Sequence, residues 1–186
     1  MTYYGGKELA AAFRTVRNNT IKMAEEIPES QYGFKATPQT RTIAQTLAHI
    51  AVGSGFQLHM QQNKVTDLKT VNFMELMQKF GAEENTPRTK AELVAFLKAE
   101  GDTFASFLES LPESFLAEPV AMPPGAQPAT KSRFEMLLSP KEHEMHHRAQ
   151  LMTLQRMNGL VPHITRDFQA RMAQMAQTAA AAPAQK

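Results

Sequence analysis

The stretch Lys141-Glu142-His143-Glu144-Met145-His146-His147-Arg148-Ala149-Gln150 holds three of the chain's six histidines within five positions. Each helical residue turns by about 100°, so His143 and His147 lie about 40° apart and roughly 6 Å along the axis. Two imidazoles so placed can converge on one metal ion. His143 and His146 are also neighbours, about 60° apart on the other side. His146 and His147 diverge, so one small site uses only one of them. Two ligands hold a divalent ion weakly, and a third must come from elsewhere. Three protein ligands with a further position open is the arrangement of catalytic zinc sites, and imidazole suits zinc and similar ions.

The third ligand must be His49, His59 or His163. His49 lies in TLAHIAVG among residues that face a core, where an unsatisfied imidazole is costly. His59 is ten positions on, about 80° off that face, and is read as solvent-facing. His163 follows a proline in a loop. Geometry and burial favour His49. Taken alone, His49 reads better as a hydrogen-bonded core histidine than as a ligand.

These residues need elements to position them, and the apolar spacing is helical throughout. A first helix is expected over 6–27, with Leu9, Phe13, Val16, Thr20 and Met23 or Ala24 on one stripe and Pro28 ending it. Thr42-Ile43-Ala44-Gln45 is a capping box opening a second helix to about Gln62. A shorter piece over 72–80 ends at Gly81. Thr89-Lys90-Ala91-Glu92 opens a third long helix carrying Leu93, Phe96, Leu97, Phe104, Phe107 and Leu108. The proline-rich 118–130 stretch reads as a loop. Ser139-Pro140-Lys141-Glu142 is a third box, with proline at the first helical position, so the fourth long helix is expected from Pro140 to about Asn158-Gly159. Residues after Pro162 could form a surface helix, and TAAAAPAQK is expected to fray. The expectation is an all-α four-helix bundle with short extra helices and a flexible C-terminal tail, divided as 1–165 and 166–186.

Composition bounds the chemistry. With 186 residues, 42% hydrophobic and 20% charged, the chain can bury an ordinary soluble core. It has no cysteine, hence no thiolate ligand or thiol nucleophile of its own. A net charge of +2 without a basic stripe suggests no nucleic-acid partner. No window reaches membrane-spanning length and no cleavable apolar leader is seen, so a cytoplasmic location and no membrane partner are expected.

TIAQTLAHI, HEMHHRAQL and the following NGLVPH together resemble the DinB-like (DinB/YfiT) superfamily, over roughly residues 8–162 and including FRTVRNNT. His49 matches the family's histidine on the second helix, and His143 and His147 match the H-x-x-x-H pair on the last. Ala149 departs from a common family glycine at a non-ligand position. The resemblance implies a four-helix bundle binding a divalent metal, nickel or zinc, through His49, His143 and His147. It also implies a homodimer and, in some members, transfer or isomerisation with a low-molecular-weight thiol. The reading that follows is Lewis-acid activation of water or a small thiol for transfer to a small-molecule electrophile, as in stress or detoxification chemistry. The alternative is a non-enzymatic metal-binding protein.

His143-Glu144-Met145-His146-His147 also satisfies the H-E-x-x-H pattern of zinc proteases, with Glu144 as base and Asp167 as a downstream ligand. No strand to hold a peptide is evident. In the family reading Glu144 is either the catalytic base beside the metal or a solvated surface carboxylate. Arg148 and Gln150 could orient a ligand or merely be solvated. Gln45 serves the capping box or the cavity mouth. Gly53 leaves room beside the metal or allows close helix packing. Met136, Met145, Met152 and Met157 read as core filler or a dimer face.

Overall fold

A computed structural model describes residues 4–181. The long elements are α1 (Gly6–Glu26), α2 (Ile43–Gly53), α5 (Lys90–Ser110) and α7 (Arg133–Met157), which form the bundle. Between them lie α3 (Gly55–Gln62), α4 (Phe73–Asn85) and α6 (Glu113–Leu116), and α8 (His163–Ala181) follows. Capping chemistry sets several starts. Thr42 accepts from the Gln45 amide at 3.1 Å while Gln45 returns a bond to the Thr42 amide at 3.0 Å. Thr89 and Glu92 do the same at the head of α5.

The core is built in blocks. Ile21 and Ala24 of α1, Leu47 and Ile50 of α2, Leu93 and Leu97 of α5, and Leu151 and Leu154 of α7 make one. Leu9 and Phe13, Phe104 and Leu108, and Leu137 make a second. A satellite of Met60, Leu68, Leu76, Val120 and Met136 lies under α3 and α4. At about 25 cal/mol per Å² of apolar surface removed from water, each fully buried leucine or phenylalanine contributes roughly 1.5–3 kcal/mol.

Several boundaries differ from expectation. The second helix divides at Ser54 into α2 and α3. α4 runs through Gly81 to Asn85. The proline-rich loop contains a hairpin of β1 (Pro119–Ala121) and β2 (Thr130–Ser132), antiparallel, with Val120 opposite Lys131. That hairpin feeds directly into α7, which starts a full two turns earlier than Pro140. Ser132, not Ser139, is the N-cap, accepting from the Glu135 amide at 3.1 Å. Pro140 is therefore inside the helix and leaves the Met136 carbonyl without its usual donor, at about 3 kcal/mol. Burial of Met136 and Leu137, about 1.5–3 kcal/mol each, offsets this. The expected loop at His163 is the first turn of α8. Residues 178–181 of the tail continue α8, and the remainder lies outside the described residues. Met136 is buried, as the core-filler reading expects, whereas Met145 and Met157 are exposed. Among the described residues no helix is long and apolar enough to cross a membrane.

Candidate metal centre

His49 is on α2, and His143 and His147 are one turn apart on α7. The bundle brings all three together. His49 Nε2 is 3.0 Å from His143 Nε2 and 3.1 Å from His147 Nε2, and the three ligand atoms lie within 4.8 Å of one another. Nitrogens held about 2.0–2.1 Å from one ion at tetrahedral angles are roughly 3.3 Å apart, so the spacing fits one ion.

The outer nitrogens decide what the inner ones offer. His49 Nδ1 lies 2.8 Å from Glu84 Oε2. Glu84, on α4, is also held by Arg41 Nε. Its own burial works against ionisation, but the bonds from Arg41 and His49 outweigh it and hold the carboxyl below its ordinary range. A carboxylate only accepts, so His49 Nδ1 carries a proton, and the tautomer this selects is the one with its lone pair at Nε2. His147 Nδ1 is 2.8 Å from Gln150 Oε1, an orientation supported by the Gln150 amide nitrogen lying 3.1 Å from His146 Nε2. These tautomers follow from the partners. Two lone pairs then face each other at 3.1 Å, an arrangement that repels unless a cation lies between them. Burial, aided by the neighbouring His147 and His49, pushes His143 down to about 4. Burial lowers His147 too. Neutral imidazole is the form that ligates. The donor set fits a divalent ion.

Gly53 has a definite reason. A Cβ there would lie 2.7 Å from His143 Nδ1, so the glycine makes room for the ligand ring itself. A cleft of about 850 Å³ is lined by Lys35, Arg41, Gln45, Glu84, Gln150 and Thr153, among others, and so reaches the partners of His49 and His147 without being lined by the histidines themselves. Gln45 thus both caps α2 and lines the cleft.

Other expected residues land elsewhere. His59 is exposed, as read. His146 is exposed; its ring meets that of His147 edge-on, 4.8 Å between centroids, and its Nε2 lies 3.1 Å from the Gln150 amide nitrogen. His163 is fully buried against Asn19, at 3.1 Å. Glu144 is not a surface carboxylate: it is 1% exposed, and both its oxygens accept from Arg17 Nε at 3.1 and 3.0 Å. A carboxylate so paired lends no support to a role as base. Asp167 pairs with Lys22 at 3.3 Å, on the surface. The zinc-protease reading loses both of its carboxylates.

Glu84, Arg41 and Arg17 were not singled out from sequence. Glu84 falls beyond the glycine read as the end of its helix. Arg17 follows Phe13 by one turn and Ile21 follows Arg17 by another, a core spacing that would have marked a buried arginine.

No curated protein matches the chain. YfiT from Bacillus subtilis, described as a probable metal-dependent hydrolase with an unusual four-helix bundle topology, superposes with a TM-score of 0.64 at 13% identity, covering 86% of this chain and 91% of that one. A DinB-family member from Exiguobacterium sibiricum gives 0.59 at 17% identity, covering 86% and 94%. The colibactin self-resistance protein ClbS, solved with double-stranded DNA, gives 0.57 at 18% identity, covering 82% and 98%. These likenesses concern the fold. The ClbS complex corrects the expectation of no nucleic-acid partner, because a representative of this fold does take DNA and net charge is blind to local placement. The DinB superfamily model matches residues 12–151, most of the bundle and all three histidines, and the chain belongs to that superfamily.

Proposed function

We propose that the chain is a divalent-metal-dependent enzyme whose ion, nickel or zinc, is held by His49, His143 and His147. It transfers water or a low-molecular-weight thiol to a small electrophile. The observation that carries this reading is the convergence of the three imidazoles, with the tautomers of His49 and His147 set by Glu84 and Gln150, two residues that also line an open cleft. When bound, such an ion supplies Lewis acidity, lowering the pKa of a water or thiol so that the anion is available near neutral pH.

The chain's residues supply the rest. Glu84 orients His49 and raises its basicity as a ligand, and Gln150 does the same for His147. Three neutral imidazoles leave the positive charge of a divalent ion uncancelled, which favours an anionic nucleophile. The cleft beside Gln45, Thr46 and Thr153 gives a small electrophile polar groups to dock on. Water transfer would agree with the hydrolase description given to YfiT, and a thiol would have to come from outside a chain without cysteine.

The test is metal content by plasma mass spectrometry on protein purified without a histidine tag, beside the triple alanine variant of the three histidines. About one equivalent in the native protein, lost in the variant, is expected. The cobalt-substituted protein should then change its visible spectrum on addition of azide or a small thiol. No metal under any loading condition defeats the reading, and a spectrum indifferent to added ligands defeats its catalytic part.

A further inference from the structure

We infer that Arg17 and Glu144 are positioning residues for the histidine cluster, a buried tie that fixes the spacing between the α2 ligand and the α7 ligands. The inference rests on the metal reading above.

The pair lies wholly inside the bundle, with side-chain exposures of 4% and 1%. Arg17 Nε donates to both Glu144 oxygens, at 3.1 and 3.0 Å. Its Nη1 donates to the Leu97 carbonyl at 2.8 Å and its Nη2 to the Ile50 carbonyl at 3.1 Å. One guanidinium on α1 therefore binds α7, α5 and α2. The places where it binds matter. Ile50 immediately follows His49, and Glu144 immediately follows His143. Ile50 also belongs to the last turn of α2, whose carbonyls lack helical donors, so the arginine caps that helix where it ends. A planar guanidinium fixes the directions of its bonds, unlike a lysine ammonium.

The fold is shaped around this tie. A Cβ on Gly101 would lie 2.8 Å from Arg17 Cγ and 3.2 Å from its Nη1, so α5 has a glycine where the arginine crosses. Along α1 the order is Phe13, Arg17, Ile21, and along α7 it is Leu137, Glu144, Leu151. The polar layer thus separates the two apolar blocks of the core. Stability does not explain it, because exchanging a buried ion pair for apolar side chains is often neutral or favourable. What apolar packing would not supply is directional registry between the helices that carry the ligands.

The experiment compares native protein, Glu144→Gln and the double variant Arg17→Met/Glu144→Met. Zinc affinity is read by competition with a chromophoric chelator, the cobalt(II) visible spectrum reports ligand geometry, and thermal unfolding of the metal-free proteins reports stability. The double variant should unfold at or above the native temperature yet bind zinc about tenfold or more weakly, with a shifted cobalt spectrum. Glu144→Gln, which keeps the size and an acceptor, should also bind at least about tenfold more weakly, and it decides the matter if the double variant does not fold. Native affinity and an unchanged cobalt spectrum in a folded variant would overturn the inference while leaving the metal reading intact. Native protein that binds neither zinc nor cobalt would overturn both.

Discussion

The two halves of α7, on either side of Pro140, each engage a buried arginine, and they use it differently. In the first half Arg133 is fully buried under the Phe115 ring, 4.5 Å from its centroid. Its Nε reaches Glu118 at 2.8 Å, a side chain 48% exposed. Its Nη1 donates to Gln61 Oε1 at 2.7 Å and the Val65 carbonyl at 3.0 Å, and its Nη2 has no partner among the described residues. That arginine staples the hairpin and α3 to the start of the helix, with its counter-charge at the rim. In the second half the carboxylate is on α7 and the arginine comes from α1, with both charges out of water. The first arrangement tolerates looseness, because solvent can stand in for Glu118. The second does not.

Removing the acid from each pair sharpens that contrast most. Glu144→Ala strands a buried guanidinium and should cost about 3–5 kcal/mol in urea unfolding of the metal-free protein. Glu118→Ala should cost about 1–2 kcal/mol, since water reaches the vacated position. Equal costs would break the comparison. Gly53→Ala pushes a methyl into the His143 ring and should cost about 1–3 kcal/mol, with zinc affinity falling alongside. Glu84→Gln should change stability by less than about 1 kcal/mol and weaken zinc binding about tenfold, because the amide still accepts from His49 but carries no charge. A fall in stability without a fall in affinity would remove Glu84 from the site.

The smallest expected effect lies beyond the far end of α7. Burial lowers the pKa of His163, whose Nδ1 is buried without a hydrogen-bond partner among the described residues. The unfolded chain therefore takes up the proton first as pH falls. This contribution to stability is full above the ordinary histidine value near 6.5 and is lost on acidification below it. His163→Gln should flatten the decline in stability between about pH 7 and pH 5 relative to the native protein. A slope as steep in the variant would show that other groups, His143 and His147 among them, account for it.

Much of this was legible in the sequence, for identifiable reasons. α1 and α5 were readable within a residue or two because their apolar spacing is regular and their ends are marked by Pro28 and Pro112. The α7 histidine pair was legible because it lies on a single helical face, whereas His49 was joined to it mainly by the resemblance of TIAQTLAHI to the family's second-helix phrase. The start of α7 was misread because Ser132 and Ser139 carry the same cap signal, each followed three residues later by glutamate, and proline at the second is the usual sign of a helix start. Tertiary burial of Met136 and Leu137 decided between them. Of the histidines' partners, Gln150 was a candidate because it lies on the same helix as His147, and Glu84 was not legible. Glu84 and Arg17 reach the site from other helices, through packing angles that spacing along one element does not encode.

The close fit around Gly101 bears on engineering. Replacing helical glycines with alanine is a routine route to thermostability, worth roughly 0.5–1 kcal/mol where the backbone is ordinary and space is open. Gly81 meets both conditions, as an added methyl finds nothing within 4 Å. Gly101 looks the same in a sequence and is the opposite in the fold. A screen that scores helix propensity alone would recommend both, and one of the two would turn a stabilisation campaign against the machinery it is meant to preserve.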